Sequence, residues 1–183
     1  RPLVVITGGG LGAVRLNNAV MAVRAQLLAE TSVLLVSGTH QFEELQAQSI
    51  DHPGWRLQAF IHKGMPQILA AADAVVARAG ATTLLELAAL HKATIIVPNG
   101  QLTAGHQLKN AKVYQDALAA IVLTEEQLIE SPAILASKII GLLRSDKIRR
   151  GLGKNFGTFA KPNAAKDMAH ILLTVVRRQG RRR

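Results

Sequence analysis

The sequence contains no cysteine and few aromatic residues. Aromatic side chains make up 3% of the 183 residues, and Trp55 and Tyr114 are the single tryptophan and tyrosine. The absence of cysteine excludes a disulfide framework and thiolate metal ligands, and it favours a cytoplasmic location. Because proteins that bind nucleic acids often stack bases on aromatic side chains, the low aromatic content argues against a nucleic-acid partner.

Acidic residues and long apolar segments are also scarce. The 22 Lys and Arg residues outnumber the 12 Asp and Glu residues and give a net charge of +10, which indicates an anionic partner. No apolar run approaches the ~20 residues that span a bilayer. The hydrophobic content of 49% can still supply one substantial core, so we expect one domain. Because the sequence starts directly at a strand without Met, we expect a fragment of a longer protein.

Short apolar runs rich in β-branched residues alternate with segments of helical periodicity. A parallel strand covered on both faces reads as a continuous apolar run, and the pattern predicts an α/β fold with six strands, the third of which alternates. The expected architecture is a doubly wound parallel six-stranded sheet with Rossmann-like topology. We expect one domain over residues 1–176 and a basic tail over residues 177–183. The predicted strands are Leu3–Thr7, Ser32–Ser37, Trp55–Phe60, Asp73–Ala77, the TIIVP run before Asn99, and Ala119–Leu123.

Two turns of small residues each follow a predicted strand and lead into a predicted helix. They are Gly8–Ala13 and Arg78–Thr83. The first turn of a helix offers free N–H groups and the positive end of the helix dipole, and glycine lets a phosphate approach the backbone closely. For the first of these turns, the alternative is a tight strand-to-helix connection without a ligand. The candidate phosphate-binding residues are Gly9, Gly10, Gly12, Gly80, Ala81, Thr82 and Thr83.

Two further groups of side chains belong near the same edge of the predicted sheet. Glu86 lies inside the helix that follows Gly80, where a carboxylate suits the vicinal hydroxyls of a ribose. Phe60, Ile61 and Met65 lie at the carboxyl end of the third strand, so they either flank a flat base or belong to the core. Together with the polar loop at residues 99–107, these segments converge on one crevice. The combination predicts a nucleotide site.

The order of these motifs resembles the C-terminal, donor-binding half of the family-28 glycosyltransferases, which have the GT-B fold. That family includes the bacterial MurG enzymes, which move N-acetylglucosamine from UDP-GlcNAc onto a lipid-linked peptidoglycan precursor. It also includes the donor-binding subunit of the eukaryotic dolichol-linked chitobiose synthase. The similarity covers nearly the whole chain and is carried by the segments GGGLGAVRLNNA, FIHKGM, DAVVARAGATTLLELAALHKATIIVP and NGQLTAGHQLKNA.

The resemblance implies a role for each group of candidate residues. The two small-residue turns would approach the donor diphosphate, and the apolar group at residues 60–65 would contact the uracil. Glu86 would hold the ribose hydroxyls, and His106 and Gln107 would contact the donor sugar. The chain departs from the family at Gly10, where a serine is usual, and at His106, where MurG enzymes commonly have glutamine.

The resemblance also implies that the catalytic base comes from an N-terminal acceptor domain or subunit that lies outside this sequence. No catalytic residue is therefore assigned within the chain, and His106 is the alternative candidate for the base. Scattered histidines and unpaired carboxylates predict no metal site. We expect no cofactor, with UDP-GlcNAc as the donor substrate.

The expected partners are a UDP-sugar, a lipid-linked acceptor and an anionic membrane surface. The resemblance implies undecaprenyl-pyrophosphoryl-MurNAc-pentapeptide as the acceptor and a peripheral location on the inner, cytoplasmic face of the cell membrane. The five arginines within residues 177–183 would each gain about 1 kcal/mol at an anionic leaflet, or else form a solvated tail without a role. Alternative functions are a stand-alone UDP-GlcNAc-binding subunit, a UDP-GlcNAc 2-epimerase and a nucleic-acid-binding domain.

Overall fold

The computed structural model describes residues 1–9, 13–100 and 105–180. The strands in these ranges form one six-stranded sheet in the order β3-β2-β1-β4-β5-β6, and every neighbouring pair is parallel. The predicted doubly wound parallel sheet is confirmed. The strands are β1 (Leu3–Thr7), β2 (Ser32–Val36), β3 (Trp55–Gln58), β4 (Ala74–Ala77), β5 (Thr94–Ile96) and β6 (Ala120–Val122).

Helices follow each strand and cover both faces of the sheet. A continuous apolar run such as β4, whose four residues are all buried, needs this double cover. Within the described ranges the helices are α1 (Val14–Glu30), α2 (Phe42–Ala47), α3 (Met65–Ala71), α4 (Ala81–Ala89), α5 (His106–Asp116), α6 (Glu125–Glu130), α7 (Ala133–Leu143), α8 (Asp146–Gly157) and α9 (Ala164–Gly180).

The core has two parts because successive side chains of a strand point to opposite faces. Val4 and Ile6 pack on one face with residues of α1, α6 and α7. Val5 packs on the other face with residues of α3, α4, α5 and α8, among them Phe156. Full burial of one such large apolar side chain stabilises the fold by about 1.5–3 kcal/mol.

The predicted end of β3 is wrong. The third strand ends at Gln58 rather than Phe60, because its neighbour β2 ends at Val36 and β3 is the edge strand of the sheet formed by the described residues. The helix that follows starts at Met65, after Gly64 with a left-handed φ of 88° and with a proline in its first turn. Proline suits that position because the first-turn N–H groups have no partner within the helix.

Helix α8 packs closely on the turn that follows α4. A Cβ atom at Gly153 would overlap the carbonyl oxygen of His91, and a Cβ atom at Gly157 would overlap the His91 imidazole. In the same helix, Phe156 is fully buried and stacks against Tyr114, with ring centroids 4.5 Å apart. The two glycines therefore allow the close contact between α8 and the rest of the domain.

Helix α9 exposes a row of large apolar side chains, including Met168, Ile171 and Leu172, each more than half exposed. The helix continues to Gly180, so the expected boundary between residues 176 and 177 falls inside it. The division into domain and tail stays a prediction, and residues 181–183 lie outside the described residues. None of the described helices combines the length and apolar character needed to cross a bilayer.

Candidate functional site

The sheet has a crevice where its strand order reverses, between β1 and β4. These two strands lie side by side at the centre of the sheet. The chain leaves β1 for α1, which packs on one face, and leaves β4 for α4, which packs on the other. In doubly wound sheets, ligands bind at this kind of switch point, outside the carboxyl ends of the strands.

A cavity of about 410 Å³ lies at this switch point. It brings together three of the sequence segments that were expected to converge. Seven predicted site residues line the cavity, and they are Gly9, Phe60, Ile61, Met65, Thr82, Thr83 and Glu86. The remaining lining residues are Thr7, Val36 and Leu69.

The N-terminus of α4 forms the polar side of the crevice. Gly80 is the residue before the helix and Ala81 is its first residue, and no side chain caps this end. The first N–H groups of the helix therefore have no partner within it, which is the arrangement that binds an anion. A Cβ atom at Gly80 would meet nothing within 4 Å. As far as the described residues are concerned, the space in front of this helix end is open.

Gly9, shortly after β1, lines the same cavity. Gly9 has a φ of 72°, which favours glycine, and its N–H donates to Thr7 Oγ1 at 3.2 Å. A Cβ atom at Gly9 would also meet nothing within 4 Å. Gly10 and Gly12, two of the predicted phosphate-binding residues, lie outside the described residues.

The apolar side of the cavity contains Phe60, Ile61 and Met65. Phe60 is 46% exposed, and its ring makes an edge contact with His62 at a centroid distance of 4.9 Å. Phe60 is therefore not a core residue. Met65 is partly buried and packs against the core, and its contact with a base stays a prediction. Glu86 is exposed on α4 and lines the same cavity.

His106 and Gln107 begin α5, beyond the loop that follows β5. His106 is exposed, and the Oε1 atom of Gln107 accepts a hydrogen bond from the Asn99 N–H at 3.0 Å. Neither residue belongs to the described lining of the 410 Å³ cavity. Further along α5, Asn110 Nδ2 donates to the Ala79 carbonyl at 3.0 Å, which fixes the turn before α4.

Sequence reasoning missed a charged cluster at the same edge of the sheet. Arg78 Nη2 lies 2.5 Å from Glu125 Oε1, and Arg15 Nη1 lies 2.8 Å from Glu125 Oε2. Arg78 directly follows the apolar run of β4, and this position could have identified it from the sequence as a charged residue at the carboxyl edge of the sheet. Arg15 and Glu125 carried no such signal, because their contact joins positions 110 residues apart.

The described ranges contain no group of three His, Cys, Asp or Glu side chains that could hold a metal ion. The expectation of a site without metal or cofactor stays a prediction, as do the individual roles of the crevice residues.

Comparison with known proteins identifies the family. The sequence model of the glycosyltransferase family 28 C-terminal domain matches residues 3–168. The chain belongs to this family. The predicted resemblance to the family-28 glycosyltransferases is thereby confirmed, and it extends over both sides of the crevice.

Relatives within the family share about a third of their residues with this chain. The UDP-N-acetylglucosamine–N-acetylmuramyl-(pentapeptide) pyrophosphoryl-undecaprenol N-acetylglucosamine transferase of Salinibacter ruber is 33% identical over 178 residues, which cover 96% of this chain and 47% of the relative. The enzyme of the same name from Lactiplantibacillus plantarum is 32% identical over 180 residues, which cover 96% of this chain and 49% of that protein. The chain therefore spans about half the length of these relatives.

A solved structure of the family has the same fold. The crystal structure of Acinetobacter baumannii MurG matches 95% of this chain and 50% of its own, with a TM-score of 0.81 and 26% identity. The expected architecture, the C-terminal half of a GT-B glycosyltransferase, is confirmed by this similarity, and the crevice at the strand-order reversal belongs to that half.

Proposed function

We propose that this chain is the donor-binding half of a hexosyltransferase that moves N-acetylglucosamine from UDP-GlcNAc to a lipid-linked acceptor. The observation that carries the proposal is a single cavity that combines an uncapped helix N-terminus, an apolar side and an exposed carboxylate. These three features match the diphosphate, the uracil and the ribose of one UDP molecule. The names of the relatives support the donor sugar and the acceptor, undecaprenyl-pyrophosphoryl-MurNAc-pentapeptide.

Each part of the nucleotide has a place in the cavity. The diphosphate faces the N–H groups at the start of α4, with Gly9 and Gly80 leaving room for its oxygens and the Thr82 and Thr83 hydroxyls beside it. The uracil lies against Phe60, Ile61 and Met65, and Glu86 accepts hydrogen bonds from the ribose hydroxyls. His106 and Gln107, at the start of α5, are left to contact the sugar.

This half of the enzyme contributes to transfer by stabilising the leaving group. When the bond between the sugar and the β-phosphate breaks, negative charge grows on UDP, and fixed dipoles that face that charge lower the barrier. Deprotonation of the acceptor hydroxyl requires a general base, which we assign to the other half of the protein. We further propose that the site works without a resident metal or cofactor.

Calorimetric titration of the chain with UDP, UDP-GlcNAc and GDP tests this function. We expect saturable binding of one UDP per chain, competition between UDP and UDP-GlcNAc, and clearly weaker binding of GDP, whose larger base does not fit the apolar side. Absence of UDP binding would overturn the proposal. Equal binding of UDP and GDP would remove the uracil assignment while leaving the diphosphate assignment.

We propose the inner, cytoplasmic face of the membrane as the location, because the acceptor is lipid-linked and the chain carries a net charge of +10. Co-sedimentation with anionic and neutral vesicles tests this proposal. We expect salt-sensitive binding to the anionic vesicles only. Binding should weaken when the five arginines of residues 177–183 are changed to glutamine, which keeps the length of the chain. Equal binding by that variant would move the contact elsewhere.

A further inference from the structure

One carboxylate joins the two segments that face the diphosphate. Glu125 accepts from Arg78 Nη2 at 2.5 Å and from Arg15 Nη1 at 2.8 Å. Arg78 opens the turn that leads into α4, and Arg15 lies in the first turn of α1, directly after the glycine loop. The two arginines thus belong to the two sides of the crevice, and Glu125 connects them.

The carboxylate itself is held firmly. Glu125 is the first residue of α6, whose start is fixed by a capping box between Thr124 and Gln127. The side chains of Glu125 and Arg78 are only 5% and 7% exposed, whereas that of Arg15 is 38% exposed. Arg78 also donates to the Val97 carbonyl at 3.1 Å. The connection therefore runs from β4 and β5, through α6, to the start of α1.

Glu125 is the carboxylate that both guanidinium groups of this cluster contact, and its negative charge lies at the same edge of the sheet as the crevice. If Glu125 acted only through its charge, its removal would strengthen the binding of an anionic ligand. If Glu125 holds the two segments in place, its removal would weaken the binding of the diphosphate. The two effects have opposite signs, so they can be distinguished by experiment.

We infer that Glu125 is a positioning residue, which uses Arg15 and Arg78 to set the start of α1 and the start of α4 at the separation that a diphosphate requires. This inference rests on the proposed function. It adds that the diphosphate subsite is assembled by the charged cluster, whereas the uridine subsite is independent of it. Within the described residues, Phe60, Ile61 and Glu86 make no hydrogen bond or ion pair with the cluster.

The test compares UDP with uridine, which lacks the phosphates. In Glu125→Gln we expect UDP to bind at least about 10-fold more weakly, because the charge-assisted hydrogen bonds that hold the loops are lost. Uridine should bind within about twofold of the wild-type affinity, since its subsite is unchanged. Glu130→Gln is the matched control, because it removes the same charge from an exposed position of the same helix. That control should change neither affinity. Unchanged or tighter UDP binding by Glu125→Gln would overturn the inference.

A second variant covers the case in which Glu125→Gln fails to fold because Arg78 is left buried without its partner. Arg15→Gln breaks only the more exposed contact and keeps the buried Arg78–Glu125 pair. We expect weaker UDP binding and unchanged uridine binding in this variant as well. Unchanged UDP binding by Arg15→Gln would contradict the inference.

The double variant separates positioning from direct contact. If Arg15 acts through Glu125, Arg15→Gln causes no further loss of UDP affinity in the E125Q background. If Arg15 instead touches the phosphates directly, the two losses add, and the bridging role is wrong. A wild-type chain that binds no UDP would overturn the proposed function itself. If the wild-type chain binds UDP and the variants bind it equally tightly, only the role of Glu125 is overturned.

Discussion

Glycine serves opposite purposes at the crevice and at the contact of α8. At Gly9 and Gly80 a Cβ atom would meet nothing within 4 Å, whereas at Gly153 and Gly157 it would overlap His91. The first pair leaves backbone open to a ligand, and the second pair lets a helix approach the domain. Glycine thus leaves room for a ligand in one region and allows close helix packing in the other.

This difference predicts that substitutions in the two regions separate binding from stability. A methyl group at Gly80 should interfere with the ligand and leave the fold intact. A methyl group at the α8 contact should disturb the fold and leave the ligand site intact. The predictions below begin with the largest expected effect.

Gly153→Ala should lower the free energy of unfolding by about 3 kcal/mol, at the upper end for an overpacked core. The reason is that the new methyl group overlaps the backbone carbonyl of His91, which cannot move aside as a flexible side chain would. Urea denaturation measures the change. The folded fraction should retain wild-type affinity for UDP. A stability loss under 1 kcal/mol would mean that α8 can shift without penalty.

Glu86→Ala should weaken UDP binding by about 1.5–3 kcal/mol, the range for hydrogen bonds to a charged group. Its effect on 2′-deoxy-UDP should be clearly smaller, because one of the two ribose hydroxyls is missing. Calorimetry with both nucleotides measures the difference. Glu130→Ala, which removes a carboxylate from an exposed position on α6, is the control. Equal losses of affinity for both nucleotides would show that Glu86 does not contact the 2′-hydroxyl.

Gly80→Ala should weaken UDP binding about tenfold, or by ~1.4 kcal/mol. The added methyl group occupies open space in front of α4, where a phosphate oxygen would lie. Stability should rise by about 0.4–1 kcal/mol, because the φ of −71° and ψ of 132° at Gly80 suit alanine. Calorimetry and urea denaturation of the same sample measure the two effects. Lower stability with unchanged affinity for UDP would mean that Gly80 serves packing rather than ligand access, which would contradict the comparison between the two regions.

Gly151→Ala is the matched control for Gly153→Ala, two positions away in the same helix. A Cβ atom at Gly151 meets nothing within 4 Å, so the substitution should raise stability by about 0.5–1 kcal/mol through helix propensity. Denaturation under the conditions used for Gly153→Ala measures it. A loss of stability at Gly151 would show that α8 is intolerant of alanine for reasons other than the contact with His91.

The fold could be predicted from the sequence because its signals are local. A strand covered on both faces reads as an uninterrupted apolar run, as at Ala74–Ala77, and five such runs define the sheet together with β3, whose residues alternate between buried and exposed. The crevice followed from topology, since the carboxyl ends of parallel strands share one edge. Strand β3 was predicted two residues too long, because its length depends on where its neighbour β2 ends.

Contacts between distant segments left no local signal. Arg78 and Glu125 are 47 positions apart, and neither neighbourhood identifies the other as its partner. The glycines of α8 read as residues that weaken a helix, because their close approach to His91 exists only in the folded chain. Sequence reasoning therefore identified residues that line one crevice and missed the charged cluster beside it.

Chemical-shift mapping of backbone amides during titration with UDP tests the central claim most directly, because it reports where the nucleotide binds. The account predicts saturable shifts at Gly9, Ile61, Ala81–Thr83 and Glu86, with the amides of Gly153 and Gly157 unmoved. Shifts that concentrate on α8 or α9 while the amides at the start of α4 stay fixed would contradict it.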